Sequence, residues 1–215
     1  MIYICEPAIL SILVSTIEAY PSKYLGKKKP KGTASEGEAI GLLFGQRFAK
    51  RGESRFNVEI AVPMQIVMKK DSESVSWNDR HFNRIRDTLT LFPNLDFLGT
   101  YHSHPFQEGE SVQVKHAAAS KDDVESAQQI WASWFEGMNE NEEVRTGERL
   151  VELVVAINAQ KHMISKEGKS EDYWLQGYCS TFRYIIAGYY SDDNGLTHCD
   201  RIVCPTARLN NTDFD

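Results

Sequence analysis

The stretch Gly99-Thr100-Tyr101-His102-Ser103-His104-Pro105 is where the residue types point to chemistry. On a β-strand alternate side chains share a face, so His102 and His104 present two imidazoles side by side. Neutral imidazole nitrogen is the commonest protein ligand for a metal. A third ligand lies downstream in Ser120-Lys121-Asp122-Asp123. That run also reads as a helix start, with Ser120 as the N-cap and Asp123 in the first turn, where the helix dipole favours a carboxylate. The two readings are compatible, because a capped helix start is a rigid place from which to present Asp123. Two imidazoles, one carboxylate and one open position suit a catalytic zinc ion whose fourth ligand is water. Asp122 is the fallback ligand. Such a site needs a proton acceptor, and Glu38, at the head of the apolar run Glu38–Gly45, is the candidate. A carboxylate beside a buried strand must be solvated, paired or functional. Glu36 is its near competitor.

The elements around these residues follow from periodicity. Pro7 and the spacing of Leu10, Leu13, Val14 and Ile17 predict a helix over 7–20. Residues 22–37, with Lys23, Lys27, Lys28, Lys29 and Lys31, read as an exposed loop. Strands are expected at 38–45 and 56–62, a helix at 77–92, and a strand at 95–104 ended by Pro105. A helix follows at 120–135, with Val124, Ala127, Trp131 and Trp134 on its apolar side, and then an acidic loop at 136–148. Strands at 150–157, 173–178 and 181–190 complete an α/β domain in which a mixed β-sheet is layered with helices. Residues 1–190 form one domain in this reading, and 191–215 a polar C-terminal tail.

Composition excludes several classes. With 215 residues, 41% hydrophobic and 25% charged, the chain is an ordinary globular one rather than disordered or fibrous. The 24 basic and 30 acidic residues leave a net charge of −6, so it is a poor general binder of nucleic acid. Its apolar runs fall far short of the ~20 residues that a membrane helix needs. Cys5, Cys179, Cys199 and Cys204 contain no C-x-x-C pair and read as reduced thiols, and with no convincing signal peptide the expected location is the cytoplasm.

Glu38 in EAIGLLFG, His102-Ser103-His104-Pro105, and Ser120-Lys121-Asp122-Asp123 stand in the order of a known pattern. Together they resemble the JAMM family, the MPN-plus (JAB domain) zinc metalloisopeptidases, in a prokaryotic-type form. The resemblance covers about residues 5–160. It implies a JAB/MPN domain of cytidine-deaminase-like architecture, with zinc held by His102, His104 and Asp123. Glu38 would serve as the general base and Ser120 as a donor to the oxyanion. The implied substrate is an isopeptide or peptide bond after the C-terminus of a ubiquitin-like or sulfur-carrier-like protein. One departure is plain: 15 residues, Pro105 to Ala119, separate His104 from Ser120, more than the family has. About 106–119 therefore reads as an insertion, mobile and solvated at Glu108, Gly109, Glu110 and Ser111. Its His116 is read either as an exposed loop residue or as one that masks the metal or stacks on substrate. Ser111 lies nearer the family spacing, but Val114, not Asp, stands three residues after it.

Three other functions compete. Two histidines and a carboxylate also serve non-haem iron oxygenases, though that leaves Glu38 without a role. A non-catalytic MPN-type scaffold would bind partners through the same fold. A zinc nucleobase deaminase requires H-x-E and P-C-x-x-C, which the chain lacks.

Overall fold

A computed structural model describes residues 1–25, 37–50, 53–64, 79–136, 148–162 and 168–205. In chain order the elements are β1 (Ile2–Ile4), α1 (Glu6–Ala19), β2 (Ile40–Lys50), β3 (Glu53–Pro63), α2 (Asp79–Leu89), β4 (Asp96–Phe106), α3 (Lys121–Glu136), β5 (Leu150–Ala159), β6 (Lys169–Glu171), β7 (Trp174–Cys179), β8 (Phe182–Asp192), β9 (Gly195–His198) and β10 (Ile202–Val203). The strands form one mixed sheet in the order β10-β1-β3-β2-β4-β5-β8-β7-β6, with β9 against β8. The two ends of this order meet. Ser170 Oγ donates to the Ile202 carbonyl at 3.0 Å, and the Ile202 amide to the Asp172 carbonyl at 2.7 Å. The sheet is therefore nearly closed, and with the three α-helices among the described residues it makes a single mixed α/β domain.

α1 covers one face of the sheet, over a core that includes Ile4, Ile12, Val58, Tyr101, Leu153 and Ile186. α2 and α3 cover the other, against Leu42, Phe97 and Leu150. β5 is buried along its whole length, as its near-continuous apolar run requires of a strand covered on both faces.

Several expectations are corrected. The helix at 7–20 is there, but it turns Ala8, Ile9, Ile12 and Thr16 inward, while Leu10 is 63% and Val14 46% exposed. Apolar residues surround this helix, and the packing against β3 selects the stripe. Pro105 does not stop its strand: Pro105 pairs with Ile157 and Phe106 with Asn158. The Ser103 N–H points to the Ala39 carbonyl, so two residues on, the missing N–H of Pro105 faces the same side, past the start of β2 at Ile40. No ladder bond is lost there, which is where a strand tolerates proline. The segment expected to be a polar tail carries β9 and β10 and the buried Cys199 and Cys204, and the boundary placed at 190 falls inside β8. The lysine loop over 27–31, Glu36, and 137–147 of the acidic loop lie outside the described residues.

Gly99 aims the histidines. Between Leu43 and Phe44 the pairing of β2 with β4 skips Leu98, a bulge that resets which residues face which layer. Gly99 sits there at φ 141°, and a Cβ on it would lie 1.9 Å from the Val151 carbonyl oxygen. Only glycine fits. Beyond it Tyr101 turns to the α1 layer and bonds Ser15 Oγ at 2.8 Å, which leaves Thr100, His102 and His104 on the α3 side.

Candidate metal centre

β4 and β5 run parallel, so the chain must cross back over the sheet between them, and α3 is in that crossover. The start of α3 therefore stands near the C-terminal end of β4, where α/β folds place their ligands. His102 and His104 occupy that end, and Asp123 the first turn of α3. Ser120 and Asp123 cap the helix reciprocally. The Ser120 amide donates to Asp123 Oδ2 at 2.6 Å, and the Asp123 amide to Ser120 Oγ at 3.2 Å. The same pair of bonds holds the carboxylate toward the histidines.

Ligand atoms of His102, His104 and Asp123 lie within 4.8 Å of one another. The two Nε2 atoms are 3.1 Å apart. His102 Nε2 is 3.2 Å from Asp123 Oδ1, and His104 Nε2 is 3.7 Å from Oδ2. With one donor taken from each residue, all three atoms lying within 4.8 Å of one another, the cluster is compact enough for one ion to draw in at the bond lengths of about 2.0–2.2 Å typical of zinc.

Each ring nitrogen facing away is already occupied. His102 Nδ1 is 2.8 Å from Glu152 Oε1, and His104 Nδ1 is 3.1 Å from the His116 carbonyl oxygen. A carboxylate and a carbonyl only accept, so both Nδ1 atoms carry hydrogen. When the rings are neutral, both Nε2 lone pairs turn to the same point, the outer-partner arrangement of metal-binding histidine.

No family model matches the chain, and no curated protein matches it. Solved structures similar to it include the solution structure of protein DSY2949 from Desulfitobacterium hafniense, at a TM-score of 0.47 and 15% identity over 95% of this chain and 92% of that one. That likeness carries no residue across, and the site stands on its own geometry.

Glu38 is exposed and outside the ligand group. The residue next to it is held in place. The Ser103 amide donates to the Ala39 carbonyl at 2.9 Å, and the Ala39 amide donates to Ser103 Oγ at 2.8 Å. Ile40 pairs with His102, so Glu38 stands two residues before the start of that pairing. Ser103, the residue between the histidines, thus fastens the approach to β2. Asp122 is exposed and outside the ligand group.

The insertion is solvated at the residues expected and buried beyond them. Glu108 to Ser111 are exposed, but Val112 and Ala117 are buried against Val154, Ala156, Ile185 and Tyr189. Tyr189 Oη donates to the Ala117 carbonyl at 3.0 Å and accepts from the Ala119 amide at 3.2 Å. His116 neither masks the ligands nor hangs in solvent. Its ring stacks on Phe106 at 4.6 Å, and its carbonyl, not its ring, serves the site.

Glu152 was missed in the sequence. The signal was available: a lone carboxylate inside Leu150–Asn158, an otherwise apolar run, must find partners. Here they are His102 and the Thr100 hydroxyl.

In the metal-free protein these groups form an ion pair. Burial pulls the His102 pKa down, but hydrogen bonds with Asp123 and Glu152 outweigh it and raise the value to about 10. Burial likewise raises that of Asp123, while hydrogen bonds from His102, His104 and the Ser120 amide hold it well below the ordinary carboxylate range. A pKa raised on folding stabilises fully below the unfolded value, about 6.5 for histidine, and the contribution is lost as pH rises through the folded value. Metal-free protein is therefore expected to lose stability between pH 6.5 and about 10 by more than a His102→Gln variant does. Denaturant melts at pH 6, 8 and 10 check this, and parallel curves would exclude the ion pair.

Proposed function

We propose that the chain is a zinc-dependent amide hydrolase of JAMM type, acting after the C-terminus of a ubiquitin-like or sulfur-carrier-like protein. One observation carries the reading: two imidazole nitrogens and one carboxylate oxygen converge within 4.8 Å of one another, with both Nδ1 hydrogens held from behind. Glu38, one residue before the Ala39 that Ser103 holds, supports a hydrolytic role over a merely structural metal.

His102, His104 and Asp123 would hold the metal, which when bound would supply Lewis acidity and lower the pKa of water from about 15.7 toward about 7. Glu38 accepts the proton of the attacking water and returns it to the leaving amine, which must depart neutral. Ser120 Oγ accepts the Asp123 amide and keeps its own hydrogen to donate to the oxyanion of the tetrahedral adduct. Loss of one such donor costs on the order of 100- to 1,000-fold in rate.

The substrate class is the one that the JAMM resemblance implies. An extended tail would be held beside a strand by main-chain hydrogen bonds, and a narrow passage would favour glycine. A C-terminus ending in Gly-Gly has that form. Zinc-loaded protein is expected to cleave Gly-Gly fusions of ubiquitin-like proteins, to stop with chelator and to resume with zinc. A panel of such fusions beside unfolded peptides tests this. Equal cleavage of all of them would leave a general zinc peptidase. Cleavage of none would leave an MPN-type scaffold.

A further inference from the structure

We infer that Glu152 is a positioning residue of the metal centre, preloading His102 for the metal through a carboxylate held at both oxygens. The inference rests on the zinc reading above. Glu152 lies on β5, two residues before Val154, the partner of His102, and directly opposite Thr100. Its side chain is 7% exposed and that of His102 9%. One oxygen accepts from His102 Nδ1 at 2.8 Å, and the other accepts from Thr100 Oγ1. The carboxylate therefore cannot turn away from the imidazole without giving up the hydroxyl.

A buried carboxylate in a fully apolar strand is costly unless paired, so the fold must gain something specific from it. Core packing would be served by any apolar side chain at 152, as at Val154 and Ala156 of the same face. What such a side chain cannot do is hold hydrogen on Nδ1 and add electron density to the ring. Those two effects fix the orientation of Nε2 and raise its strength as a ligand, and losing such an outer partner costs about 10- to 100-fold in metal affinity. The other ring is held by the His116 backbone carbonyl, which no substitution removes, so Glu152 is the half of the arrangement open to mutation.

The experiment measures zinc affinity, by competition with a chromophoric chelator, together with the visible spectrum of cobalt-substituted protein and the melting of metal-free protein. Glu152→Gln keeps shape and an acceptor oxygen but removes the charge, and zinc affinity is expected to fall about 10- to 100-fold with the cobalt bands of four-coordinate geometry kept. Glu152→Ala frees the ring, and the bands should change as well. A role in folding alone would lower stability equally with and without metal and leave zinc affinity unchanged, which overturns the inference. If Glu152→Gln does not fold, Thr100→Val decides, since it leaves charge and strand in place: weaker zinc binding supports the inference and parental binding overturns it. Absence of zinc binding by the parent protein would overturn the metal centre itself, a result distinct from parental affinity in the variants.

Discussion

Protein purified without added metal is expected to hold one zinc per chain, and His104→Ala or Asp123→Ala to hold essentially none. Each substitution removes one of three ligands. The loss should exceed the roughly 10- to 100-fold that goes with an outer partner, because the two remaining donors no longer define a closed triangle. Asp123→Ala also removes the side-chain half of the cap on α3. Asp123→Asn is therefore the cleaner variant: it keeps an acceptor for the Ser120 amide and removes the charge. Metal analysis after gel filtration gives the answer. Less than about half an equivalent in the parent, with no reloading, would dismiss the centre, as would a His104→Ala variant that binds as tightly as the parent.

Glu38→Gln should separate binding from chemistry. The side chain is exposed, so the fold is expected to be untouched. The ligand group does not include it, so zinc should stay. Hydrolysis of a Gly-Gly fusion should fall by at least about 100-fold, the lower range for losing a general base, with little change in KM. Near-parental turnover would move the base to Glu36, two residues before Glu38, or to another mechanism. Because Ser103 fixes Ala39 through its hydroxyl, Ser103→Ala offers a comparison in which Glu38 is present but less well placed.

How much of this was legible in the sequence differs from residue to residue. Alternation along β4 settles by itself that His102 and His104 share a face, since the period of a strand is two. Ser120 and Asp123 announce the start of α3, because the capping pattern is local. The apolar run of β5 announces a covered strand. All three depend on neighbours within a few positions, and the structure agrees with each.

Contacts between distant elements were not legible. The crossover from β4 to β5 brings Asp123 to the histidines across 18 intervening positions at the nearest, a matter of topology rather than spacing. Which stripe of α1 is buried depended on β3, since Leu10 and Ile9 are equally apolar. That Pro105 continues its strand depended on where β2 begins. The segment after 190 looked polar because β9 and β10 are short and half-exposed, and only closure of the sheet gives them partners. Glu152 and the His116 carbonyl are the sharpest cases. A carboxylate on β5 and a backbone atom in an insertion carry no local mark of service to an imidazole. Hydrogen bonds of that kind act over about 3 Å in space, and the fold alone decides which atoms come that close.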